Sequence, residues 1–128
     1  MGKVNFEITT TLKGTLPRVP FENIKKHILG NSYELSLVLM GDALGRRLNQ
    51  EHKKKNAPTN VLSFPISKNE GEIFINVRRA QRDAKKFGHT NRQHVAFLFI
   101  HGCLHLKGST HSPKMEKEEE LLLEKLLV

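Results

Sequence analysis

Residues 91–111 read NRQHVAFLFIHGCLHLKGSTH and form the stretch that decides how this chain folds. Residues 91–107 are largely apolar and too long for a typical strand, which favours a buried helix. Gly108 can take the left-handed conformation that ends a helix and turns the chain back. The stretch therefore predicts a long buried helix followed by a sharp reversal.

Three histidines near this helix end have a spacing that suits one metal ion. His101 and His105 are four residues apart, so their side chains lie on one helix face. Both imidazoles can then reach a single cation at about 2.0–2.1 Å. His111 comes three residues after Gly108, and the whole spacing is that of the metzincin motif. The pattern predicts one zinc ion per chain, bound by His101, His105 and His111.

The ligand set also indicates what kind of site this is. Three histidine ligands leave a fourth position for water, as in catalytic zinc sites. Zinc lowers the pKa of such a water to about 7, which suits hydrolysis at neutral pH. Zinc peptidases carry a glutamate directly after the first histidine. Here that residue is Gly102, and no carboxylate lies elsewhere in the motif, so the usual peptidase mechanism is disfavoured.

Two other residues of the predicted helix have polar side chains. His94 precedes His101 by seven residues on a similar face, and we interpret it as a core histidine rather than a residue that supports the ligands. Cys103 points away from the ligand face and is interpreted as buried packing. Since Cys103 is the single cysteine, no intrachain disulfide can form, and a reducing compartment is indicated.

Apolar periodicity and capping residues predict the elements on either side. Alternation predicts four strands, at 4–8, 33–40, 61–64 and 72–75. Pro65 is predicted to end the third strand. Four further helices are predicted, at 20–29, 43–52, 77–87 and 115–128. Asp42 and Asn76 are the predicted N-caps of the second and third of these, and Phe87 belongs to the buried row of the third.

The order of the elements indicates the fold class. Because helices stand between strands, we predict an α+β fold in one small domain, residues 1–128. It has a central mixed β-sheet, helices packed around the sheet and a metal site at the end of a buried helix. The N-terminus lacks the apolar segment of a secretory signal, and no apolar run is long enough to span a bilayer. A cytoplasmic protein without membrane contact is therefore expected.

The charge of the chain favours a polyanionic partner. The 21 Lys and Arg against 13 Asp and Glu give a net charge of +8, and the cations are clustered. The cluster predicted to bind a nucleic acid lies at one helix end and the loop after it and comprises Arg46, Arg47, Lys53, Lys54 and Lys55. A second cluster is equally well explained as a solvated helix face and comprises Arg78, Arg79, Arg82, Lys85 and Lys86. With few aromatic residues, recognition by backbone charge is expected, rather than base stacking.

Longer motifs resemble a known family. Residues 101–111 read H-G-C-L-H-L-K-G-S-T-H, residues 58–65 read P-T-N-V-L-S-F-P, and Gly71-Glu72-Ile73 follows. These stretches resemble the YbeY family of metal-dependent endoribonucleases and rRNA maturation factors, and the similarity extends from Tyr33 to the C-terminal helix. The resemblance implies a mixed fold, zinc on the three histidines and cleavage of single-stranded RNA. It also implies work with the ribosomal small subunit, in 16S rRNA 3′-end maturation and ribosome quality control.

The chain differs from this family at two positions. Thr110 stands where the family usually has Asp, a carboxylate that would orient a ligand or tune the metal. Lys53 stands where the family usually has Arg, and lysine keeps the charge but lacks the bidentate fork that suits phosphate. We expect phosphodiester hydrolysis in which Lys53 or Arg46 steadies the developing charge. Ser63 is either a polar contact at the cleft or an ordinary strand serine.

Two other functions stay open at this point. The first is a ribosome-assembly factor that binds RNA and in which the metal is mainly structural. The missing carboxylates at Gly102 and Thr110 favour it, and the open fourth ligand position does not. The second is a minimal zinc peptidase, which the histidine spacing favours and the basic surface does not. RNA, with no DNA, is the expected nucleic acid.

Overall fold

The structure is a computed structural model that describes residues 5–14, 18–53 and 60–127, without the side chains of residues 52 and 53. Its elements are β1 (Phe6–Thr10), α1 (Phe21–Leu29), β2 (Glu34–Met40), α2 (Asp42–Lys53), β3 (Val61–Ser67), β4 (Glu70–Asn76), α3 (Val77–Ala84), α4 (Asn91–Lys107) and α5 (Pro113–Leu126). A 3₁₀ turn, Lys85–Phe87, extends α3. Every predicted element is present, α4 with the predicted ends and the others with at least one end shifted. Val4 and Val128, the predicted start of the first strand and end of the last helix, lie outside the described residues.

The four described strands form one mixed sheet, which confirms the predicted α+β fold. The strand order is β1-β2-β4-β3. β1, β2 and β4 are parallel, whereas β3 pairs antiparallel with β4 at the edge of the sheet. Parallel neighbours need crossover connections, and α1 provides the one between β1 and β2.

The prediction that Pro65 ends the third strand is wrong. β3 continues to Ser67, and Pro65 pairs with Gly71 of β4. Proline removes one ladder donor, which an edge strand tolerates because its outer side has no partner strand. The pairing is irregular between Pro65 and Ser67, as expected next to a missing N–H.

One face of the sheet is covered by α1, α3, α4 and α5, and the other face by α2. The main core lies on one face, where the buried middle of α4 packs against β3 and β4 and is flanked by α1, α3 and α5. On the other face, Leu44 and Leu48 of α2 pack against Met40, Leu62 and Phe74. α4 and α2 therefore lie on opposite faces. In the described part of the chain, no helix has both the length and the apolar character needed to cross a membrane.

At the ends of α2 and α3, one predicted N-cap is confirmed and two other predictions are wrong. Asn76 caps α3 as predicted, because its side chain accepts the backbone N–H of Arg79 at 3.0 Å. Asp42 is instead the first residue of α2, and its carboxylate binds Arg82 and Asn76. Phe87 is 57% exposed rather than buried. The α-helix ends at Ala84, and the tighter 3₁₀ winding after it carries Phe87 out of the buried row.

Candidate metal centre

The two ends of α4 are firmly determined by local sequence. Thr90 and Gln93 form a reciprocal capping box at its start. At its end, Gly108 has a φ of 111°, and its N–H donates to the carbonyl of His105 at 3.0 Å. The chain then reverses, and Ser112 caps α5 by accepting the backbone N–H of Met115 at 3.2 Å. Residue 111 is thus confined between two helix ends.

The structure brings the three predicted ligands together. One ring nitrogen from each of His101, His105 and His111 lies within 4.8 Å of the others. The Nε2 atoms of His101 and His105 are 3.0 Å apart. Two nitrogens on a tetrahedral zinc are about 3.3 Å apart, given zinc–nitrogen bonds of about 2.0–2.1 Å. The arrangement therefore has the dimensions of a metal site.

The hydrogen bonds of the other ring nitrogens determine where the lone pairs point. Nδ1 of His101 lies 2.8 Å from a carboxylate oxygen of Glu119, and Nδ1 of His105 lies 3.1 Å from the carbonyl oxygen of Ser109. Both partners are acceptors, so both Nδ1 atoms donate a proton. In the neutral rings both Nε2 atoms then carry lone pairs that face each other. Such a pair repels unless a cation lies between, so the donor set fits a metal ion.

Glu119 is a functional residue that the sequence analysis missed. It is 3% exposed and reaches His101 from α5, eighteen residues along the chain. A carboxylate behind a ligating histidine fixes the ring orientation and raises its basicity. The missing carboxylates at Gly102 and Thr110 thus have a counterpart on another helix. The sequence feature that could have identified Glu119 is its spacing, which places it on the same apolar side of α5 as Met115 and Leu122.

The packing of α4 explains why the first histidine is followed by glycine. A Cβ on Gly102 would lie 3.0 Å from Oγ of Ser63 and 3.1 Å from Cδ1 of Ile73. The Ser63 hydroxyl also donates to the carbonyl of Gly102 at 3.2 Å. The helix therefore rests directly on β3 and β4 at this point. A peptidase glutamate does not fit here, in agreement with the sequence analysis.

Burial also adjusts the protonation of residues on α4. Burial lowers the pKa of His105, and the nearby His101 lowers it further. The imidazole therefore stays neutral, as a metal ligand must, at lower pH than a free histidine. Burial raises the pKa of the Cys103 thiol, which is fully buried, so the interpretation of Cys103 as packing is confirmed.

The three histidines open onto a cleft. It encloses about 360 Å³ and is lined by His101, His105 and His111 on one side and Val61, Leu62, Ser63 and Phe64 of β3 on the other. Ser63 thus lines the cleft, where the sequence left open whether it is a polar contact or an ordinary strand serine. Its single hydroxyl proton is engaged with Gly102, which leaves its oxygen as an acceptor.

Comparison with known proteins gives a consistent family. The model of the family described as Endoribonuclease YbeY matches residues 4–127. The chain belongs to the YbeY family. This membership confirms the resemblance seen in the sequence, and with it the prediction of an enzyme of the nuclease class.

Individual relatives agree with this membership. The chain is 35% identical to Endoribonuclease YbeY of Pelotomaculum thermopropionicum, over 94% of this chain and 90% of the relative. It is 38% identical to Endoribonuclease YbeY of Wolinella succinogenes, over 70% of this chain and 69% of the relative. Among solved structures, it resembles the solution structure of TM1509 from Thermotoga maritima. That match has a TM-score of 0.68 at 25% identity and covers 94% of this chain and 88% of the other.

The cluster predicted to bind RNA is only partly described. Arg46 and Arg47 are exposed on α2, on the sheet face opposite α4. Arg47 lies 4.0 Å from Glu51 in an exposed ion pair, which contributes little to stability. Lys54, Lys55 and the side chain of Lys53 lie outside the described residues. Within this YbeY family fold, Arg46 and Arg47 therefore do not line the cleft.

The second basic cluster is largely engaged within the fold. Arg82 forms a bidentate pair with Asp42, at 2.8 Å for both bonds. The hydrogen bond from Arg82, and then that from Asn76, lowers the pKa of Asp42 to about 2. Asp83 pairs with Arg79 at 3.1 Å and with Lys86 at 3.7 Å. These pairs favour a structural interpretation of the α3 cations.

Proposed function

We propose that this protein is a single-strand-specific, zinc-dependent endoribonuclease. The observation that carries the proposal is the pair of Nε2 lone pairs on His101 and His105, which converge with His111 at the edge of an open cleft. Membership of the YbeY family, and relatives named as endoribonucleases, support RNA as the substrate. We further propose that residues 1–128 form a single metallohydrolase domain that acts in the cytoplasm.

The proposed biological substrate is rRNA on the ribosomal small subunit. We infer a role in maturation of the 16S rRNA 3′ end and in ribosome quality control, as the resemblance to this family implies. The net charge of +8 supports a polyanionic partner. Binding and cleavage should both weaken as salt rises, since phosphate contacts release counterions.

Each residue of the site has a proposed task. His101, His105 and His111 would hold one zinc ion per chain, which would supply Lewis-acid polarisation of a phosphoryl oxygen and a lowered pKa of water. Glu119 and the carbonyl of Ser109 hold the protons of His101 and His105 on Nδ1, so that both Nε2 atoms face the metal position. We propose Lys53 as the cation beside the developing charge and Ser63 as the polar contact at the cleft.

The path of the RNA follows from the position of β3. Because β3 is an edge strand, a single strand lying in the cleft can cross that edge to the opposite face of the sheet. Arg46 and Arg47 are exposed on that face, and residues 53–55 precede β3 in the chain. We propose that these five cations bind the RNA backbone, Lys53 at the reacting phosphodiester and the other four beyond the cleft.

One observation favours a second function. Among the described residues that line the cleft, none is a carboxylate that could serve as general base. An RNA-binding assembly factor with a mainly structural metal would not need one. A peptidase is disfavoured, because Gly102 has no room for the glutamate of that mechanism.

Metal content and cleavage, measured on the same preparation, distinguish these functions. We expect about one zinc per chain by mass spectrometry, and cleavage of single-stranded RNA that stops on chelation and returns with zinc. Double-stranded RNA of the same sequence and casein serve as matched substrates and should stay intact. Stoichiometric zinc without cleavage would support the assembly factor, and casein cleavage would support the peptidase.

A further inference from the structure

A second groove opens beside the metal centre and shares two of its histidines. It encloses about 630 Å³ and contains Phe87, His89 and Phe97 along one wall, with His101 and His111 at its inner end. This volume lies within the range of about 300–1,000 Å³ that is typical of small-molecule sites. Apart from His101, His111 and Glu119, no lining residue of this groove has a task in the proposed chemistry, although the groove is continuous with the metal site.

One ring of the aromatic wall is largely exposed to solvent. Phe87 is 57% exposed, and its ring stacks on His89 with centroids 5.9 Å apart and an interplanar angle of 22°. Gly88, at a φ of 70°, allows the chain to turn between them. Behind Phe87 lie the rings of His94 at 4.8 Å and Phe97 at 5.9 Å. Phe87 is thus a supported aromatic ring at the groove opening.

The opposite wall makes the groove unsuitable for phosphate. It is formed by α5, where Glu116 and Glu120 are exposed along the groove. Two carboxylates repel a phosphate chain, whereas they accept hydrogen bonds from the amino groups of a base. A neutral, planar group with polar edges suits the space between an aromatic wall and a carboxylate wall. A nucleobase has this chemistry.

We propose that Phe87 and His89 stack a nucleobase next to the phosphodiester that is cleaved. With that phosphodiester at the three histidines, the backbone stays at the cleft and the neighbouring base turns into the groove. This inference rests on the proposed RNA substrate and adds a base subsite to it. It adds base stacking to the recognition by backbone charge that the sequence predicted, because Phe87, predicted to be buried, is exposed.

A fluorescent base tests the subsite directly. A single-stranded RNA with one 2-aminopurine, whose fluorescence falls on stacking, is titrated into the zinc-loaded full chain. Phe87→Ala should weaken binding about tenfold and abolish the quenching, because stacking on one aromatic side chain is worth about that much. Phe87→Tyr keeps the ring and should behave like the unsubstituted protein. Leu121→Ala is the matched control, since Leu121 is also 57% exposed.

A base-free nucleotide then locates the stacked position. Cleavage is compared for RNAs in which one nucleotide at a time lacks its base. At the stacked position, removal of the base and Phe87→Ala should each slow cleavage about tenfold, and together no more than either alone. Additive effects at every position would overturn the proposal.

The results separate this inference from the proposed activity. If Phe87→Ala leaves binding and quenching unchanged while the protein cleaves RNA, the subsite is wrong and the nuclease stands. If Phe87→Ala abolishes quenching while the unsubstituted protein cleaves nothing, the subsite stands and the nuclease is wrong. If the unsubstituted protein does not bind the RNA, both are wrong.

Discussion

Two histidine pairs near opposite ends of α4 look alike by distance alone. Nε2 of His101 lies 3.0 Å from Nε2 of His105, and Nδ1 of His89 lies 3.0 Å from Nδ1 of His94. Only the first pair has a third histidine beside it among the described residues. The two pairs therefore show what makes a pair of imidazoles into a metal site.

The difference lies in the partners of the other ring nitrogens. Glu119 and the Ser109 carbonyl accept hydrogen bonds from Nδ1 of His101 and His105, so the Nε2 lone pairs of this pair must face each other. In the second pair one Nδ1 can donate to the other, so no cation is needed. Its rings pack among aromatic groups, with His94 stacked on Phe97 at 5.7 Å. Two histidines that lie close together do not by themselves make a metal site. The hydrogen bond made by the other ring nitrogen of each histidine determines whether the two lone pairs face each other.

The largest expected effect is the loss of zinc when a histidine of the first pair is removed. His101→Ala and His105→Ala should each reduce zinc from about one per chain to almost none, an affinity loss of more than about 100-fold, because one ligand of three is removed. His89→Ala is the matched variant and should keep its zinc. Mass spectrometry after dialysis against a weak chelator measures both. Full zinc in His101→Ala would contradict the metal site.

The next effect concerns the close packing that distinguishes the metal-binding end of α4. Gly102→Glu should lower the free energy of unfolding by about 3 kcal/mol or more, because its side chain has no room beside Ser63 and Ile73. Gly102→Ala should change it much less, because the Ser63 and Ile73 side chains need to shift by only a few tenths of an ångström and alanine favours the helix. Denaturant unfolding of the metal-free proteins measures both. If Gly102→Glu is as stable as the unsubstituted protein, the packing argument fails.

A smaller effect is expected at the carboxylate behind His101. Glu119→Gln keeps the shape and an acceptor oxygen but removes the charge, so zinc affinity should fall about 10- to 100-fold. Glu118→Gln changes an exposed neighbour on the same helix and should leave the affinity unchanged. Competition with a chromogenic chelator gives both values. Equal affinities would mean that Glu119 does not tune the ligand.

The smallest expected effect concerns His94 of the second pair and the dependence of stability on pH. Burial, and then His89, lowers the pKa of His94. The folded protein therefore binds this proton less readily than the unfolded chain. The contribution of neutral His94 to stability is fully present above about pH 6.5 and is lost as the pH falls below that value. His94→Phe should flatten this decline, while changing the free energy of unfolding at pH 8 by less than about 1.5 kcal/mol.

The control for His94→Phe is a histidine outside the aromatic cluster. His27 is exposed on α1, and His27→Phe should leave the dependence of stability on pH unchanged. Both variants are unfolded by denaturant between pH 5 and 8 in the presence of chelator, so that zinc binding does not contribute. A steeper decline for His94→Phe than for the unsubstituted protein would mean that His94 is not buried in its neutral form.

Much of the fold and the ligand set could be predicted from local pattern. A four-residue spacing on a helix, a glycine that ends that helix and alternation along strands all act between neighbours in the chain. They sufficed for α4, for the histidine triad and for a mixed sheet. The same reasoning failed at Pro65, because it could not tell that β3 lies at an edge where a missing donor is tolerated.

The sequence was enough to identify the residues that could bind the metal, because these residues are close together in the chain. The residues that surround the three histidines are known only from the tertiary structure. Glu119 reaches His101 across two helices, Gly102 is closed off by residues of β3 and β4, and Phe87 is left exposed beside the histidines. Each of these contacts joins residues far apart in the chain, and such contacts are determined by how the helices pack on the sheet rather than by any periodicity within one element.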